Sequence, residues 1–452
     1  MKVAIIGTGN VGLVSGACFA AKGHDVVCVD LDAERVAAIN QGQTPFYEPG
    51  LEELLRDTIG RRLHATLDLG GAVATADIVV LAVGTPFNGE TIDLDQIRHA
   101  SRQVGKALVD NPGYPLVMVK STVLPGTTDT VVTPILEEQS GQRAAVDFGV
   151  AMNPEFLREG QAVGDFMMPD RIVMGATDER SWAMQDELYR DFPAPDVVRT
   201  DNRTAEMIKY TSNALLANLI SFSNEIGNLC ATLPGVDIAA VMRGVHLDKR
   251  LSPIVEGDEP TRLRPGILSY LMAGCGFGGS CLPKDVSSLI AFGDSQGSPM
   301  DLLRSVMTIN HAQPGRVVEL ARRQLPSLDG VEVAVLGLSF KPGTSDIRLT
   351  PALPVIAELR EAGARLRLYD PAALDEIGNV LGEADELAYH AHLEDAIDGA
   401  ELIVVLTSWP ELRRLPELLA DRDPAPVVID GRRMFDREDF ARYDGIGLGP
   451  RS

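Results

Sequence analysis

The chain has 452 residues, with 64 acidic and 41 basic side chains that give a net charge of −23 at pH 7. Because a domain usually holds roughly 100–200 residues, this length predicts two or three domains. Nucleic acids and anionic membrane surfaces bind basic proteins, so the charge excludes both as partners, and no apolar run reaches the roughly 18 residues of a membrane span. An anionic small substrate is still compatible with this charge if the chain forms a local basic pocket.

The first part of the chain predicts strands that alternate with helices. The short apolar run KVAIIG (2–7) leads directly into a glycine turn, which is typical of a strand and not of a signal peptide. A helical stretch, VSGACFAAKG (14–23), ends at a glycine, and a second strand, HDVVCVD (24–30), follows it. Further apolar runs of the same kind lie at 76–86, 115–123 and 146–156. Short buried strands separated by helices indicate a parallel, doubly wound sheet.

The middle of the chain predicts one long helix over 204–231. This stretch has no proline and a single glycine, and its apolar residues recur at intervals of three and four. At 1.5 Å per residue such a helix would be roughly 40 Å long, enough to join two domains or to form a subunit interface. We therefore expect a homodimer or a higher homo-oligomer. The proline-rich stretch 252–266 is predicted to be a loop.

Strand–helix alternation returns in the last part of the chain. Apolar runs of strand length lie at 331–340, 364–370, 400–408 and 425–433. The predicted fold class is therefore α/β, with two doubly wound, Rossmann-like parallel sheets joined by a long central helix and a helical middle domain. The predicted domains are 1–200 for NAD binding, 201–310 for the central helical part and 311–452 for a C-terminal α/β domain.

A dinucleotide-binding fingerprint lies at the N-terminus. The sequence GTGNVG (7–12) has the spacing GxGxxG, follows a strand and opens a helix, and an aspartate ends the second strand. In this motif the glycines allow a tight turn and close approach to a pyrophosphate, and the acidic side chain accepts ribose hydroxyl protons and so favours NAD over NADP. The alternative is a glycine turn in a domain without a cofactor. The residues expected to contact NAD here are Gly7, Gly9, Asn10, Val11, Gly12 and Asp30.

The second sheet lacks a GxGxxG motif. The segment GLSFKPGTSD stands at the matching place and brings Lys341, and Arg348 follows shortly after it. Basic side chains at the carboxyl ends of parallel strands suit a ligand that carries phosphate, so this domain predicts a phosphate-bearing ligand and not a second NAD.

The stretch GCGFGGSCLPKD (274–285) surrounds Cys281 with glycines that would leave it accessible. Pro283 suits the first turn of a helix, so Cys281 would lie at a helix N-terminus, where the dipole and Lys284 favour the thiolate. The alternative is an inert cysteine buried in a glycine turn. The chain has five cysteines without zinc-ligand spacing, which predicts no metal site and a reducing, cytoplasmic location.

Several polar residues suit chemistry next to a nicotinamide. Lys209 and Asn213 are four residues apart on the long helix and so share a face, where they could hydrogen-bond a substrate hydroxyl and its oxyanion. Glu155 follows one predicted strand, and Thr122 follows another in the segment STVLPGTT. Each also has a simpler explanation, because a solvated helix edge or a capping carboxylate would look the same.

Taken together, these segments resemble the UDP-glucose/GDP-mannose dehydrogenase family over essentially the whole chain. The matching segments, in order, are GTGNVG, VGTP, KSTVLPGTT, NPEFLREG, EMIKYTSNA, GFGGSCLPKD, SFKPGTSDIR and DGRR. The resemblance implies that a nucleotide sugar is oxidised twice at C6 with two NAD⁺, giving a uronic acid. It implies UDP-glucose as the substrate, with GDP-mannose or a UDP-N-acetylhexosamine as the alternative.

The resemblance also assigns roles to individual residues. Cys281 would be the nucleophile that forms a thiohemiacetal and then a thioester, which is a covalent route from alcohol to acid. Lys209 with Asn213 would act on the alcohol and the oxyanion, Asp285 and Thr122 would orient the hydrolytic water, and Glu155 would be the acid/base. Thr85, Thr122 and Arg348 would contact the cofactor. The implied substrate contacts are Glu155, Phe156, Leu157, Lys209, Asn213, Arg250, Tyr270, Phe277, Gly278, Lys341 and Arg432, with Arg250 reaching the neighbouring subunit's substrate.

The chain departs from the family pattern near Arg250. Arg250 and Tyr270 are 20 positions apart, so Ser252–Gly266 resembles an insertion, and Met272 stands where some relatives carry a lysine. Two other functions remain open at this point. A hydroxyacid dehydrogenase could share the fingerprint and the Lys-x-x-x-Asn helix, and an NAD-binding protein without catalysis could share the fold.

Overall fold

Eight strands form the first sheet of the computed structural model, which describes residues 1–193, 196–256 and 261–450. The sheet order is β3-β2-β1-β4-β5-β6-β7-β8, and every pair is parallel except β6 with β7. The first six strands thus have the order of a dinucleotide-binding fold. The strands are β1 (Lys2–Ile6), β2 (Asp25–Val29), β3 (Leu63–Thr66), β4 (Ile78–Leu81), β5 (Leu116–Val119), β6 (Gly149–Met152), β7 (Ile172–Ala176) and β8 (Val197–Thr200).

The central strands of this sheet are apolar throughout, so both of its faces need to be shielded from water, and helices cover them. Strands β4, β5 and β6 read IVVL, LVMV and GVAM, and every one of their residues is buried. Continuous apolar strands of this kind occur where both faces of a sheet are covered. The helices are α1 (Asn10–Ala21), α2 (Ala33–Asn40), α3 (Leu51–Thr58), α4 (Leu69–Thr75), α5 (Asp95–Leu108), α6 (Thr133–Ser140), α7 (Ala162–Met167), α8 (Glu179–Leu188) and α9 (Asn202–Cys230), with a π-helical turn at Thr128–Val132.

The chain divides into two compact units, 1–212 and 213–452, and the division falls within α9. The second unit contains a six-stranded parallel sheet with the order β13-β12-β11-β14-β15-β16, and a separate antiparallel pair of two-residue strands. The strands are β9 (Ile254–Val255), β10 (Thr261–Arg262), β11 (Glu332–Leu336), β12 (Arg365–Tyr369), β13 (Leu387–Tyr389), β14 (Leu402–Val405), β15 (Val427–Asp430) and β16 (Tyr443–Gly445).

Helices of the second unit fall into two groups, those that precede the sheet in the chain and those that alternate with its strands. The first group is α10 (Ile238–His246), α11 (Leu282–Ser295) and α12 (Asp301–Gln324), and the second is α13 (Ala352–Glu361), α14 (Leu374–Leu381), α15 (Leu393–Ile397) and α16 (Leu415–Leu419). Short 3₁₀ turns lie at Gly266–Tyr270, Pro410–Arg414 and Arg437–Asp439. The sheet again has the 3-2-1-4-5-6 order, so both units are built on the same doubly wound plan.

The structure agrees with most of the predicted elements. The long helix runs over Asn202–Cys230, within two residues of its predicted bounds. The stretch 252–266 is not entirely a loop, because Ile254 and Val255 pair with Arg262 and Thr261; its residues 257–260 lie outside those described. Within the described residues, no helix combines the length and the apolar character that crossing a bilayer requires.

Candidate active site

The glycine turn between β1 and α1 has the geometry that a bound pyrophosphate needs. Gly7 has φ +97°, and a Cβ there would lie 2.8 Å from the carbonyl oxygen of Ala82. A Cβ on Gly12 would lie 2.0 Å from the carbonyl oxygen of Gly7, so only glycine lets α1 pack this closely. A Cβ on Gly9 would meet nothing within 4 Å. The open space at Gly9, at the start of α1, therefore fits the phosphates of NAD.

Asp30 directly follows β2 and faces this turn. Its Oδ2 accepts hydrogen bonds from Thr8 N at 2.8 Å and Thr8 Oγ1 at 2.5 Å, and Arg35 Nη1 lies 3.7 Å from the same oxygen. Burial raises the pKa of the Asp30 carboxyl, but the bonds from Thr8 and Asp32 outweigh it and leave the pKa below its usual value. The carboxylate is thus fixed and ionised beside the turn. Thr8 and Arg35 are not among the residues predicted from the sequence, although Thr8 lies inside the glycine motif.

Two predicted cofactor contacts come together at the ends of β4 and β5. Thr85 Oγ1 donates to the carbonyl oxygen of Thr122 at 2.7 Å, and Ser121 Oγ donates to that of Val83 at 2.7 Å. These bonds fix the two loops to each other at the carboxyl edge of the sheet. In open α/β sheets, ligands bind at this edge.

Glu155 and Lys209 form a buried ion pair. Lys209 Nζ lies 2.8 Å from Glu155 Oε1, and the two side chains are 4% and 6% exposed. Leu157 N donates to Glu155 Oε2 at 2.6 Å, and the ring centroid of Phe156 lies 5.6 Å from Lys209 Nζ. Burial raises the pKa of Glu155, but Lys209, the Leu157 amide and Lys120 together bring it below its usual value. The Glu155 carboxyl is therefore ionised, and a proton can pass directly between Lys209 Nζ and Glu155 Oε1.

Glu206 lies three residues before Lys209 on α9 and ties this helix to the loop after β5. It accepts hydrogen bonds from Gly126 N, and from Thr128 N at 2.8 Å and Thr128 Oγ1 at 2.7 Å. Burial raises the pKa of Glu206 to about 7, against the effect of these donors. Glu206 is not among the residues predicted from the sequence, because nothing in the local pattern separates it from a surface glutamate.

In the second unit, Asn213 and Lys284 converge on Asp285. Asn213 Nδ2 donates to Asp285 Oδ2 at 2.6 Å, and Lys284 Nζ lies 2.6 Å from Asp285 Oδ1. Asp285 is buried and occupies the first turn of α11, and its backbone N–H donates to the carbonyl oxygen of Cys281 at 2.9 Å. The predicted polar partners in this unit are thus brought together around one carboxylate.

Cys281 directly precedes α11, and Pro283 lies in the first turn of that helix. Cys281 is half-buried, whereas the other cysteines are buried. Its Sγ lies 3.5 Å from Ser280 Oγ. A partly exposed sulfur at a helix N-terminus is in a setting that favours the thiolate. The contrast with Cys275 is clear, since complete burial raises the pKa of that thiol.

The glycines before Cys281 serve close packing and not only access. A Cβ on Gly278 would lie 2.2 Å from the carbonyl oxygen of Leu349, and one on Gly279 would lie 2.7 Å from the ring of Phe340. Phe277 is buried, and its N–H donates to Asn310 Oδ1 at 2.8 Å. The expectation that the glycines simply leave space around the thiol is therefore wrong for Gly278 and Gly279, whose space is filled by protein atoms.

The predicted cationic residues of the second unit differ in their hydrogen-bond partners and in their exposure. Arg432 donates to the carbonyl oxygens of Leu406 at 2.6 Å and Gly276 at 2.9 Å, and it thereby ties the segment before Cys281 to the second sheet. Arg348 forms a bidentate pair with Asp346, and its side chain is 64% exposed.

Lys341 and Tyr270 are half-buried, whereas Arg250 pairs with Asp248 and its side chain is 89% exposed. Arg250 is thus directed to solvent in the single chain, while Arg432 is held by the protein backbone. Met272 is partly buried and packs against the apolar core of this unit. No described group of three or more His, Cys, Asp or Glu side chains could hold a metal ion.

Models of one protein family match three successive parts of the chain. Residues 1–193 match the NAD binding domain of the UDP-glucose/GDP-mannose dehydrogenase family, residues 203–312 match its central domain, and residues 334–437 match its UDP binding domain. The match to the first of these models confirms NAD as the predicted cofactor.

Individual relatives are similar over almost the full chain. The sequence is 41% identical over 451 residues to UDP-glucose 6-dehydrogenase AglM of Haloferax volcanii, which covers 99% of this chain and 100% of that protein. It is 39% identical over 460 residues to GDP-mannose 6-dehydrogenase of Pseudomonas putida, with 99% and 100% covered. A UDP-glucose dehydrogenase structure from the archaeon Pyrobaculum islandicum has a TM-score of 0.88 and 38% identity, with 99% and 97% covered. This likeness confirms the predicted α/β fold.

Proposed function

The chain belongs to the UDP-glucose/GDP-mannose dehydrogenase family, and we propose that it oxidises C6 of UDP-glucose to the carboxylate of UDP-glucuronate. The family makes it an NAD-dependent nucleotide-sugar 6-dehydrogenase. UDP-glucose is proposed because several relatives that are 38–41% identical over nearly the whole chain are named UDP-glucose 6-dehydrogenases. The observation that carries the covalent mechanism is the half-buried Cys281 at the start of α11.

Each proposed role uses chemistry that the side chain has available. When bound, NAD⁺ accepts the hydride in each oxidation. Lys209 in its neutral form accepts the hydroxyl proton and can pass it on to the Glu155 carboxylate across the 2.8 Å between Nζ and Oε1. Cys281 adds through Sγ to the aldehyde carbon, so that the next oxidation gives a thioester. Asp285, already fixed by Asn213, orients the water that cleaves the thioester.

The glycine turn and Asp30 are proposed to hold the pyrophosphate and the adenosine ribose, with Thr85 and Thr122 near the nicotinamide end. The remaining substrate contacts are proposed as the resemblance implies. The proposed domains are 1–200 for NAD, 201–310 for the helical middle that carries Cys281, and 311–452 for the nucleotide sugar. The cytoplasmic location likewise remains a prediction from the cysteine pattern.

The decisive experiment counts NADH per sugar with limiting UDP-glucose and excess NAD⁺. Two NADH are expected for each UDP-glucose, because both oxidations occur before release. One NADH would mean that the reaction stops at the aldehyde and would contradict the thioester route. Cys281→Ser should still bind NAD but form no uronate, whereas uronate formation at the wild-type rate would remove Sγ from the mechanism.

GDP-mannose is the second candidate substrate. The observation that favours it is the Pseudomonas putida relative, a GDP-mannose 6-dehydrogenase that is 39% identical over 99% of this chain. A pocket that pairs its polar groups with one base discriminates strongly against another base. Thermal stabilisation by UDP and not by GDP is expected, and the opposite result would replace UDP-glucose with GDP-mannose.

We also propose that two copies of the chain associate through α9. Leu215, Phe222 and Leu229 are spaced by seven residues on this helix and are 52%, 48% and 58% exposed in the single chain. Side chains seven apart lie on one face of a helix, so these three form an apolar stripe. Such stripes are typical of interfaces, and a second copy of α9 presents the same stripe in return.

A further inference from the structure

Lys120 is a buried lysine for which the mechanism above has no role. It directly follows β5 and directly precedes Ser121 and Thr122, and the residue is 3% exposed. Its Nζ donates to Asn153 Oδ1 at 2.8 Å and lies 3.3 Å from the hydroxyl of Tyr189. Asn153 stands at the matching place after β6, two residues before Glu155. Lys120 therefore ties the two strand ends that carry Thr122 and Glu155.

The ammonium group of Lys120 has no acidic partner at ion-pair distance among the residues that the structure describes. Its hydrogen-bond partners are an amide and a phenol, and the ring of Phe166 lies 5.3 Å from Nζ. Burying a cation without a counter-ion is costly, and a methionine of similar length would fill the same space without a charge. A purely structural tie between β5 and β6 does not require this charge.

The titratable groups around Lys120 come from four elements. Cys18 lies on α1 and Tyr189 follows α8; burial raises the pKa of both, that of Cys18 to about 12, so both are neutral. Glu155 follows β6 and Lys209 lies on α9, and both act on Lys120 through their charges. The charges that act on the buried cation therefore include both members of the proposed proton-transfer pair.

We propose that Lys120 is a positioning residue whose buried charge keeps Glu155 ionised and favours the neutral, proton-accepting form of Lys209. This inference rests on the proposed function, because it uses the roles given there to Glu155 and Lys209. With one carboxylate and two ammonium groups, the buried cluster carries a net positive charge, and loss of the Lys209 proton relieves the repulsion between the two lysines. The hydrogen bond to Asn153 holds the strand end from which Glu155 extends.

The pKa values agree with this arrangement. Burial, opposed by Glu155 and assisted by Lys209, lowers the pKa of Lys120 to about 8, so the group is cationic at neutral pH. Lys120 is in turn one of the charges that lower the pKa of Glu155 against the effect of burial. The charge of Lys120 is thus present at neutral pH.

The test is the pH profile of kcat/KM for Lys120→Met, measured with whichever nucleotide sugar the wild type oxidises. Removing the charge disfavours both the carboxylate form of Glu155 and the neutral form of Lys209, and both forms are needed, so the ascending limb should move to higher pH. A shift of about 0.5–1 pH unit is expected, which below the limb is about a 3- to 10-fold loss of kcat/KM.

Tyr189→Phe is the matched control. It removes the hydroxyl that contacts Lys120 and donates to Asn153 at 2.6 Å, but it leaves every charge in place. Its ascending limb should stay at the wild-type pH, and Lys120→Arg should restore most of the wild-type profile by keeping the charge. If Lys120→Met does not give the wild-type circular dichroism spectrum, Lys120→Gln replaces it, because the amide can still donate to Asn153.

A folded, uncharged variant with an unshifted limb would overturn the proposal, and so would an equal shift in Tyr189→Phe. These failures are distinct from a failure of the proposed function. An active wild type with an unshifted variant refutes only the role of Lys120, whereas a wild type that oxidises no nucleotide sugar refutes both.

Discussion

Replacing Gly12 with alanine should destabilise the first unit, because the new Cβ has no space. It would lie 2.0 Å from the carbonyl oxygen of Gly7 and 3.2 Å from Cβ of Ala82. Neither neighbour can rotate away, since one is backbone and the other is fixed directly to it, so α1 must move off β1. Overpacking of this kind costs about 1–3 kcal/mol, which for a unit of this size lowers the melting midpoint by about 2–12 °C.

Gly9→Ala is the matched control for steric strain, because a Cβ at Gly9 meets nothing within 4 Å. The backbone there has φ −67° and ψ −173°, which alanine adopts freely, and the loss of glycine at the N-cap costs less than about 1 kcal/mol. The methyl group would instead project into the space proposed for the pyrophosphate. This variant should melt near the wild type and bind NAD at least about tenfold more weakly.

The assay pairs thermal melting by circular dichroism with calorimetric titration of NAD into each full-length variant. Gly12→Ala should lose both stability and affinity, whereas Gly9→Ala should lose affinity alone. If Gly12→Ala melts at the wild-type temperature, α1 can move away from β1 without a loss of stability, and the predicted steric strain is wrong. A Gly9→Ala variant that binds NAD like the wild type would refute the placement of the pyrophosphate.

Two further predictions concern α9. The pKa of Glu206 is raised to about 7 in the folded protein, whereas in the unfolded chain this carboxyl loses its proton near pH 4.5. The folded protein therefore holds a proton that the unfolded chain has lost, and the free energy of unfolding should fall by up to about 3 kcal/mol as pH rises from 4.5 to 7.5. Urea unfolding of Glu206→Gln should lack this fall, and an equal fall in the variant would assign it to another group. Phe222→Asp puts a charge into the apolar stripe and should give the monomer mass by light scattering, whereas Glu225→Asp on the same helix should keep the dimer mass. If the wild type itself has the monomer mass, the proposed dimer is wrong.

Much of the fold could be predicted from the sequence because the signals are local. The runs around β1, β2, β4, β5 and β6 are short, apolar and bounded by glycine or by polar residues, and each became a strand. Other strands were not predicted from the sequence, and the reasons are again local. The strand β8 (VVRT) is mostly exposed, and β16 (YDG) is three residues long, so neither has an apolar pattern of sufficient length.

The sequence by itself determined which residue types stand at the ends of strands and at the starts of helices. The glycine spacing of residues 7–12, the four-residue spacing of Lys209 and Asn213, and Pro283 after Cys281 are properties of neighbouring residues, and they predict turns, helix faces and a helix start. Backbone geometry repeats every few residues, so these features can be deduced without knowing what else folds against them.

Only the tertiary structure decided the partners and therefore the charges of these residues. Glu155 meets Lys209, Asp30 meets Thr8, and Asn213 meets Asp285 across 72 positions of the chain. The burial of Lys120, with no carboxylate at ion-pair distance among the described residues, has no local signature. The physical reason is that desolvation and pairing depend on atoms that are close in space, and in a parallel sheet the strand ends that meet are separated along the chain by whole helices.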